Sequence, residues 1–167
     1  CNRDDNETLY HEMLNAGLNV NYALGCDVFG KYFNLEEVKE ATKDCDVIVF
    51  ACGESEYMSG EAAVRAFLNL PGRQEEMLDE LCKLGKKVIM LVHAGRPLVM
   101  RKYREQADAI LYCWFLGIKS SMAITNTLLG INNPSAKLTM SFPYCEGQIP
   151  VYYNNLNTGR PQPVNMP

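Results

Sequence analysis

Three short apolar runs dominate the chain: DVIVFAC (46–52), KVIMLVH (87–93) and ADAILYCW (107–114). Each is continuous rather than alternating and contains β-branched residues, the pattern of a strand covered on both faces. Helical segments lie between them. Asn34 can cap LEEVKEATK (35–43), whose acidic first turn suits the positive end of a helix dipole. Pro71 and Gly72 introduce RQEEMLDELCKL (73–84), and Gly85 stops it. A shorter helical piece covers about 98–105, and another helix runs over 118–129 to Gly130. Ahead of the first run, residues 6–16 put Leu9, Met13 and Leu14 on one helical face, and LNVNYA (18–23) reads as a strand. Beyond the last, KLTMSF (137–142) reads as a strand and the chain from about Pro143 as an irregular tail. Strands alternating with helices predict an α/β fold, a mostly parallel sheet flanked by helices with right-handed crossovers. The 167 residues suit a single domain.

Composition excludes several classes. Hydrophobic residues at 47% supply a full core, and a formal charge of -4 argues against a nucleic-acid surface. No run of about 18 apolar residues exists, so no membrane span is expected. The first residues, CNRDDNETLY, lack a basic-then-apolar leader. Seven cysteines are an odd number, form no CxxC pair and in part lie inside apolar runs. They read as free thiols in a reducing compartment, hence a cytoplasmic address, with a periplasmic or secreted protein holding one or two disulfides as the alternative. Two histidines are too few for most metal sites, and neither a metal nor an organic cofactor is expected.

Ligands of such sheets bind at the carboxyl ends of the strands, which directs attention to residues 52–62, 93–97 and 114–121. The first segment, CGESEYMSGEA, is a long strand-to-helix connection with three carboxylates (Glu54, Glu56 and Glu61) and turn-permitting Gly53 and Gly60. Simple solvation of a polar loop is the plain alternative. GxGxxG, GxxxxGK[ST] and GxSxG are all absent, which leaves neither a phosphate cradle nor a nucleophile elbow. His93 reads as a strand-end residue bonding nearby backbone, His11 as helix surface, and Cys52 and Cys113 as core.

Read together, CDVIVFACGE, SGEAAVRAFLNLPGRQEEML, GKKVIMLVHAGRPL, ADAILYCWFLG and NPSAKLTMSFPYCEGQIPVYYNNLNTGRP resemble the second domain of family 3 glycoside hydrolases, chiefly bacterial β-glucosidases. The likeness runs from about Asp46 to Pro161. It implies an α/β sandwich domain that leans over a (β/α)8-type barrel carrying an aspartate nucleophile, the barrel being its partner in the parent polypeptide. It also implies an oligo- or aryl-β-glycoside substrate and the SGEA glutamate, Glu61, as general acid/base. A retaining glycosidase sets its two carboxyl groups roughly 5–5.5 Å apart across the scissile bond. Catalytic acids of this kind are tuned toward the working pH by burial and by the companion carboxylate. Glu61 is therefore expected to become competent only beneath the barrel. Tyr57 and Met58 are candidates for lining the leaving-group subsite, with loop packing as the plainer role. Glu54, Arg65, Arg96 and Arg160 are read as supports of the loop or of the domain interface, and Trp114 as packing beneath the loop.

The chain departs from the family pattern at two places. WFLGIKSS (114–121) stands where relatives read WFPG and a Gln-Glu-Gly-Gly-like turn. The apolar strand with which relatives open this domain is not found. The sheet is therefore expected to lack its first strand, with self-association or a partner covering the open position. The chain alone is expected to hydrolyse no glycoside. A non-catalytic carbohydrate-binding or interaction module of the same fold is the alternative function.

Overall fold

The computed structural model describes residues 7–156 and Gly159. Helix α1 (Leu9–Asn15) and helix α2 (Leu35–Thr42) come first. Strand β1 (Val47–Gly53), helix α3 (Gln74–Cys82), strand β2 (Lys87–His93), helix α4 (Arg101–Gln106), strand β3 (Ala109–Tyr112) and helix α5 (Ser120–Leu128) follow. The three apolar runs thus form the three strands, paired in parallel in the order β1-β2-β3, with Val47 opposite Lys87 and Ile89 opposite Ala109.

Period-two alternation divides the strand side chains between two helical layers. Even-numbered residues such as Phe50, Met90 and Tyr112 join Val38 of α2, Met77 and Leu78 of α3 and Tyr103 of α4 in the larger core. Odd-numbered ones such as Val49, Leu91 and Leu111 meet Leu9 of α1 and Ile124 of α5. Because β2 lies between two strands and two layers, Met90, Leu91 and Val92 are all completely buried. This explains why its sequence shows no polar alternation. Both N-caps of the first two helices are side-chain caps: Thr8 accepts from the His11 N–H and Asn34 from the Glu37 N–H.

Two expected strands are not formed. Residues 18–23 are held by side chains instead of a ladder: the Leu24 N–H donates to Glu37 Oε1 and Asn21 Nδ2 to the Ala41 carbonyl. Their neighbourhood contributes only the isolated antiparallel bridge Cys26–Phe33 among the described residues. Residues 137–142 alternate like a strand, yet Leu138 and Met140 are exposed, while Phe142 packs edge-on against the rings of Tyr112 and Trp114. Among the described residues no strand pairs with this segment and its apolar face stays largely open.

The side of β1 away from β2 has no strand neighbour among the described residues. At its carboxyl end the Gln74 side chain takes a strand's place. The Gly53 N–H donates to Gln74 Oε1 at 2.7 Å, and Gln74 Nε2 donates to the Gly53 carbonyl at 2.9 Å and the Pro71 carbonyl at 3.0 Å. On the other side β1 crowds β2, and a Cβ on Gly53 would lie 1.8 Å from the His93 carbonyl oxygen. Gly53 also has φ 129, open to glycine and costly for other residues. Gly53→Ala is expected to cost about 3 kcal/mol, an overpacking penalty added to backbone strain, read as a lower urea midpoint with an unchanged slope.

Candidate functional site

The loops that follow β1, β2 and β3 emerge from one end of the parallel sheet. The Glu54 N–H donates to the His93 carbonyl at 2.7 Å, which fixes where the first loop departs. The Glu54 side chain is completely withdrawn from water. Its Oε1 accepts from Arg65 Nη1 at 2.7 Å and lies 3.2 Å from Arg96 Nε, close enough for an ion pair though misaligned for a hydrogen bond. Oε2 has no hydrogen-bond partner among the described residues.

Each arginine passes the constraint to the loop. Arg96 Nη2 donates to the Met58 carbonyl, and Arg65 Nη2 to the Asn69 carbonyl at 2.9 Å. Arg96 is itself set by β3, because the Tyr112 hydroxyl donates to the Arg96 carbonyl at 2.5 Å and accepts from the Leu98 N–H at 3.2 Å. Burial pushes the Tyr112 phenol up to about 12, so it remains a donor at any ordinary pH. The loop returns to the core at Leu70, whose N–H donates to the Tyr103 hydroxyl at 2.9 Å.

Between these anchors lies a 3-10 turn, Glu56–Met58, and then the tip. Gly60 has φ 110 and Ala62 φ 60, and the Ala63 N–H donates to the Gly60 carbonyl at 3.2 Å. A left-handed alanine is strained and persists only where its surroundings hold it. Glu61 stands between the two, exposed, and its carboxylate has no ion pair or hydrogen bond among the described residues. Tyr57 points outward at 77% exposure, whereas Met58 is half-buried. Ser59 rests on Gly95, where a Cβ would come within 1.9 Å of Ser59 Oγ and 3.1 Å of the Phe115 ring. The second strand end thus supports the first loop by having no side chain.

Glu54, Arg65 and Arg96 therefore come together, Tyr57 and Met58 share the loop with Glu61, and Arg160 lies outside the described residues. His93 is half-buried, which pushes its imidazole down, and the neighbouring Trp114 backbone opposes that shift. Burial pushes both the Cys52 thiol and the Cys113 thiol up, the latter to about 11, so both stay protonated and weakly nucleophilic. Trp114, at φ 56, packs edge-on against Tyr112 and Phe142. Among the described residues no three His, Cys, Asp or Glu converge as a metal set would. Sequence reasoning missed Gln74, Tyr112 and Glu146. Tyr112 is hidden inside an apolar run and Gln74 looks like any first-turn polar residue, so neither carried a local signal. Glu146, whose Oε1 accepts from the Leu68 N–H at 3.0 Å, sits in a tail without periodicity.

A parallel α/β sandwich with an anchored acidic loop at its strand ends is the class that fold and site define. The model of the glycosyl hydrolase family 3 C-terminal domain matches residues 8–165, and the chain belongs to that family. A periplasmic β-glucosidase of Salmonella typhimurium is 45% identical over 127 residues, 76% of this chain and 17% of the relative. A β-xylosidase of Formosa agariphila is 40% identical over 136 residues, 80% of this chain and 19% of the relative. The crystal structure of a β-glucosidase from Listeria innocua superposes with a TM-score of 0.85 at 36% identity, over 96% of this chain and 22% of that one. The chain thus spans about a fifth of the length of these relatives.

Glu54→Ala is expected to leave two half-buried guanidinium groups without their counter-charge. The cost is about 3 kcal/mol, with protease sensitivity appearing within residues 55–69. Glu54→Gln, which keeps an acceptor oxygen, is expected to lie between the variant and wild type in urea unfolding and in limited proteolysis.

Proposed function

We propose that this domain supplies the general acid/base of a retaining β-glycosidase, with Glu61 as that residue. The carrying observation is the contrast between two glutamates of one loop. Glu54 is buried and ion-paired to two arginines, whereas Glu61 is exposed and unpartnered among the described residues at a tip held from both sides. A carboxyl group that must give a proton to a leaving oxygen and then take one from water has to be free to meet both. Glu54, Arg65 and Arg96 support the loop, and Tyr57 and Met58 line the leaving-group side. Arg160 belongs to the support of the domain interface. The nucleophile comes from a barrel domain elsewhere in the parent polypeptide, in keeping with the fraction of each relative that this chain spans.

Tyr57, Val64 and Phe67, at 77%, 91% and 73% exposure, give the loop an apolar rim for that barrel to cover. Covering it would also remove water from Glu61. The relatives named as β-glucosidases support terminal non-reducing β-D-glucosyl residues as substrate, and the Formosa β-xylosidase favours β-xylosides as a second reading. The six cysteines among the described residues are free thiols, which fits a reducing cytoplasm, while the Salmonella relative favours a periplasmic address as the second reading. The binding-module alternative is weakened by the free glutamate, which a purely binding surface does not need.

In the intact parent enzyme, Glu61→Ala is expected to lower kcat/KM by about a hundredfold or more on aryl β-glucosides with poor leaving groups. Activated substrates should still form the glycosyl-enzyme, and azide should restore turnover as a glycosyl azide. Wild-type behaviour on every substrate would overturn the assignment. The isolated chain is expected to hydrolyse no aryl β-glycoside and to self-associate through the outer side of β1. Light scattering across a concentration series reads the association, and Ala51→Lys, a charge at an exposed edge position, should abolish it.

A further inference from the structure

The loop that carries Glu61 is also gripped from outside the sheet. Leu68, midway between the Arg65 anchor and the Leu70 anchor, is held on both sides of its backbone. Its N–H donates to Glu146 Oε1 at 3.0 Å, and its carbonyl accepts from the Val99 N–H at 2.8 Å. Val99 belongs to the segment ahead of α4, whereas Glu146 lies 78 positions beyond Leu68 in the chain. Among the described residues this is the side-chain hydrogen bond that joins the tail to the loop, and a carboxylate is a strong acceptor for it. The bonds from its own backbone N–H and then from the Leu68 N–H hold the Glu146 carboxyl below its ordinary range, so it is charged at neutral pH.

The segment around Glu146 is built to keep that carboxylate still. Glu146 opens a 3-10 turn, Glu146–Gln148, in which the Gln148 N–H donates to the Cys145 carbonyl and the Ile149 N–H to the Glu146 carbonyl, both at 3.1 Å. The Gln148 Oε1 accepts from the Tyr144 N–H at 2.7 Å. Tyr144 in turn lies beneath the Arg101 guanidinium, 4.4 Å from its ring centroid, and Pro143 is buried. The tail is thereby fastened to α4 at one point and to the loop at another.

We propose that Glu146 is a positioning residue for the acid step, fixing the return limb of the loop so that Glu61 meets the leaving oxygen at a reproducible distance. This rests on the reading of Glu61 as the acid/base. The anchors at Met58 and Arg65 hold the loop from the strand-end cluster. The Leu68 anchor closes the frame from the far side, and the tip Gly60–Val64 is the longest span between these holds. Releasing Leu68 lets the limb beyond Arg65 drift, and small displacements of a catalytic group are costly in rate.

The test uses the full-length parent enzyme carrying Glu146→Ala, Glu146→Gln or Glu61→Ala, with phenyl and 2,4-dinitrophenyl β-glucosides and hydrogen exchange of the Leu68 amide. For Glu146→Ala we expect kcat/KM to fall about tenfold on the phenyl substrate and to stay within about twofold on the dinitrophenyl one, which needs no acid. Its Leu68 amide should exchange faster. Glu146→Gln, whose carboxamide oxygen still accepts from Leu68, should restore both readouts toward wild type. Equal losses on the two substrates would mark a merely structural role and overturn the proposal. So would faster exchange without a rate change, or an unchanged Leu68 exchange. If Glu61→Ala itself shows no dependence on the leaving group, the acid reading fails and takes the positioning role with it. In that case Leu68 exchange still decides separately whether the clasp exists.

Discussion

A carboxylate removed from water has to be matched by positive charge, and Glu54 is matched twice. That match organises the whole strand-end face. The arginines come from different places, Arg65 from the loop itself and Arg96 from the turn after β2, so satisfying one buried oxygen joins two loops. Each guanidinium has donors left over, and those reach loop carbonyls at Asn69 and Met58. Planar multidentate donors make this arrangement possible, since a lysine at either position would offer one point of attachment instead of a fork. The acidic residue with the least solvent is thus the one that gives the loop its shape.

The arrangement separates holding from acting. Anchors crowd both limbs of the loop while the tip carries an alanine in a left-handed conformation and a glutamate with no partner among the described residues. Strain at such a tip persists because the limbs are overdetermined. On the reading proposed here, the domain brings a preset geometry, and the electrostatic tuning of the acid comes from whatever closes over the apolar rim of Tyr57, Val64 and Phe67. On that reading, an active site split in this way would make closure of the two parts a condition for proton transfer and would keep an exposed carboxyl idle until substrate and both walls were present.

Much of this was legible in the residues. The three continuous apolar runs became the three strands because burial on both faces leaves no room for polar alternation. The caps at Asn34 and the stop at Gly85 worked because they depend on local chemistry alone. The Glu54–Arg65–Arg96 cluster brings together residues 54, 65 and 96, and nothing in local spacing reports that the second strand's turn reaches back over the first. Residues 18–23 and 137–142 misled for a related reason. Extended periodicity states that a segment is able to pair, whereas pairing needs a neighbour at the right distance, and Glu37 and Asn21 bind the first segment to α2 instead. Glu146 illustrates the limit most clearly, because a lone polar residue in an aperiodic tail carries no signal until the fold brings it to Leu68.

The Gln74 amide at the end of β1 has one more effect. Alternate residues of a strand turn their backbone groups to opposite sides, so the groups of Val47, Val49 and Ala51, unpaired on that side among the described residues, face the same way as those of Gly53, which Gln74 already occupies. Any strand laid along that edge meets a stop beyond Ala51. A slip of one residue would turn every side chain of the newcomer to the wrong layer. A single glutamine thus acts as a ruler for the sheet: it fixes where a strand added along that edge must end.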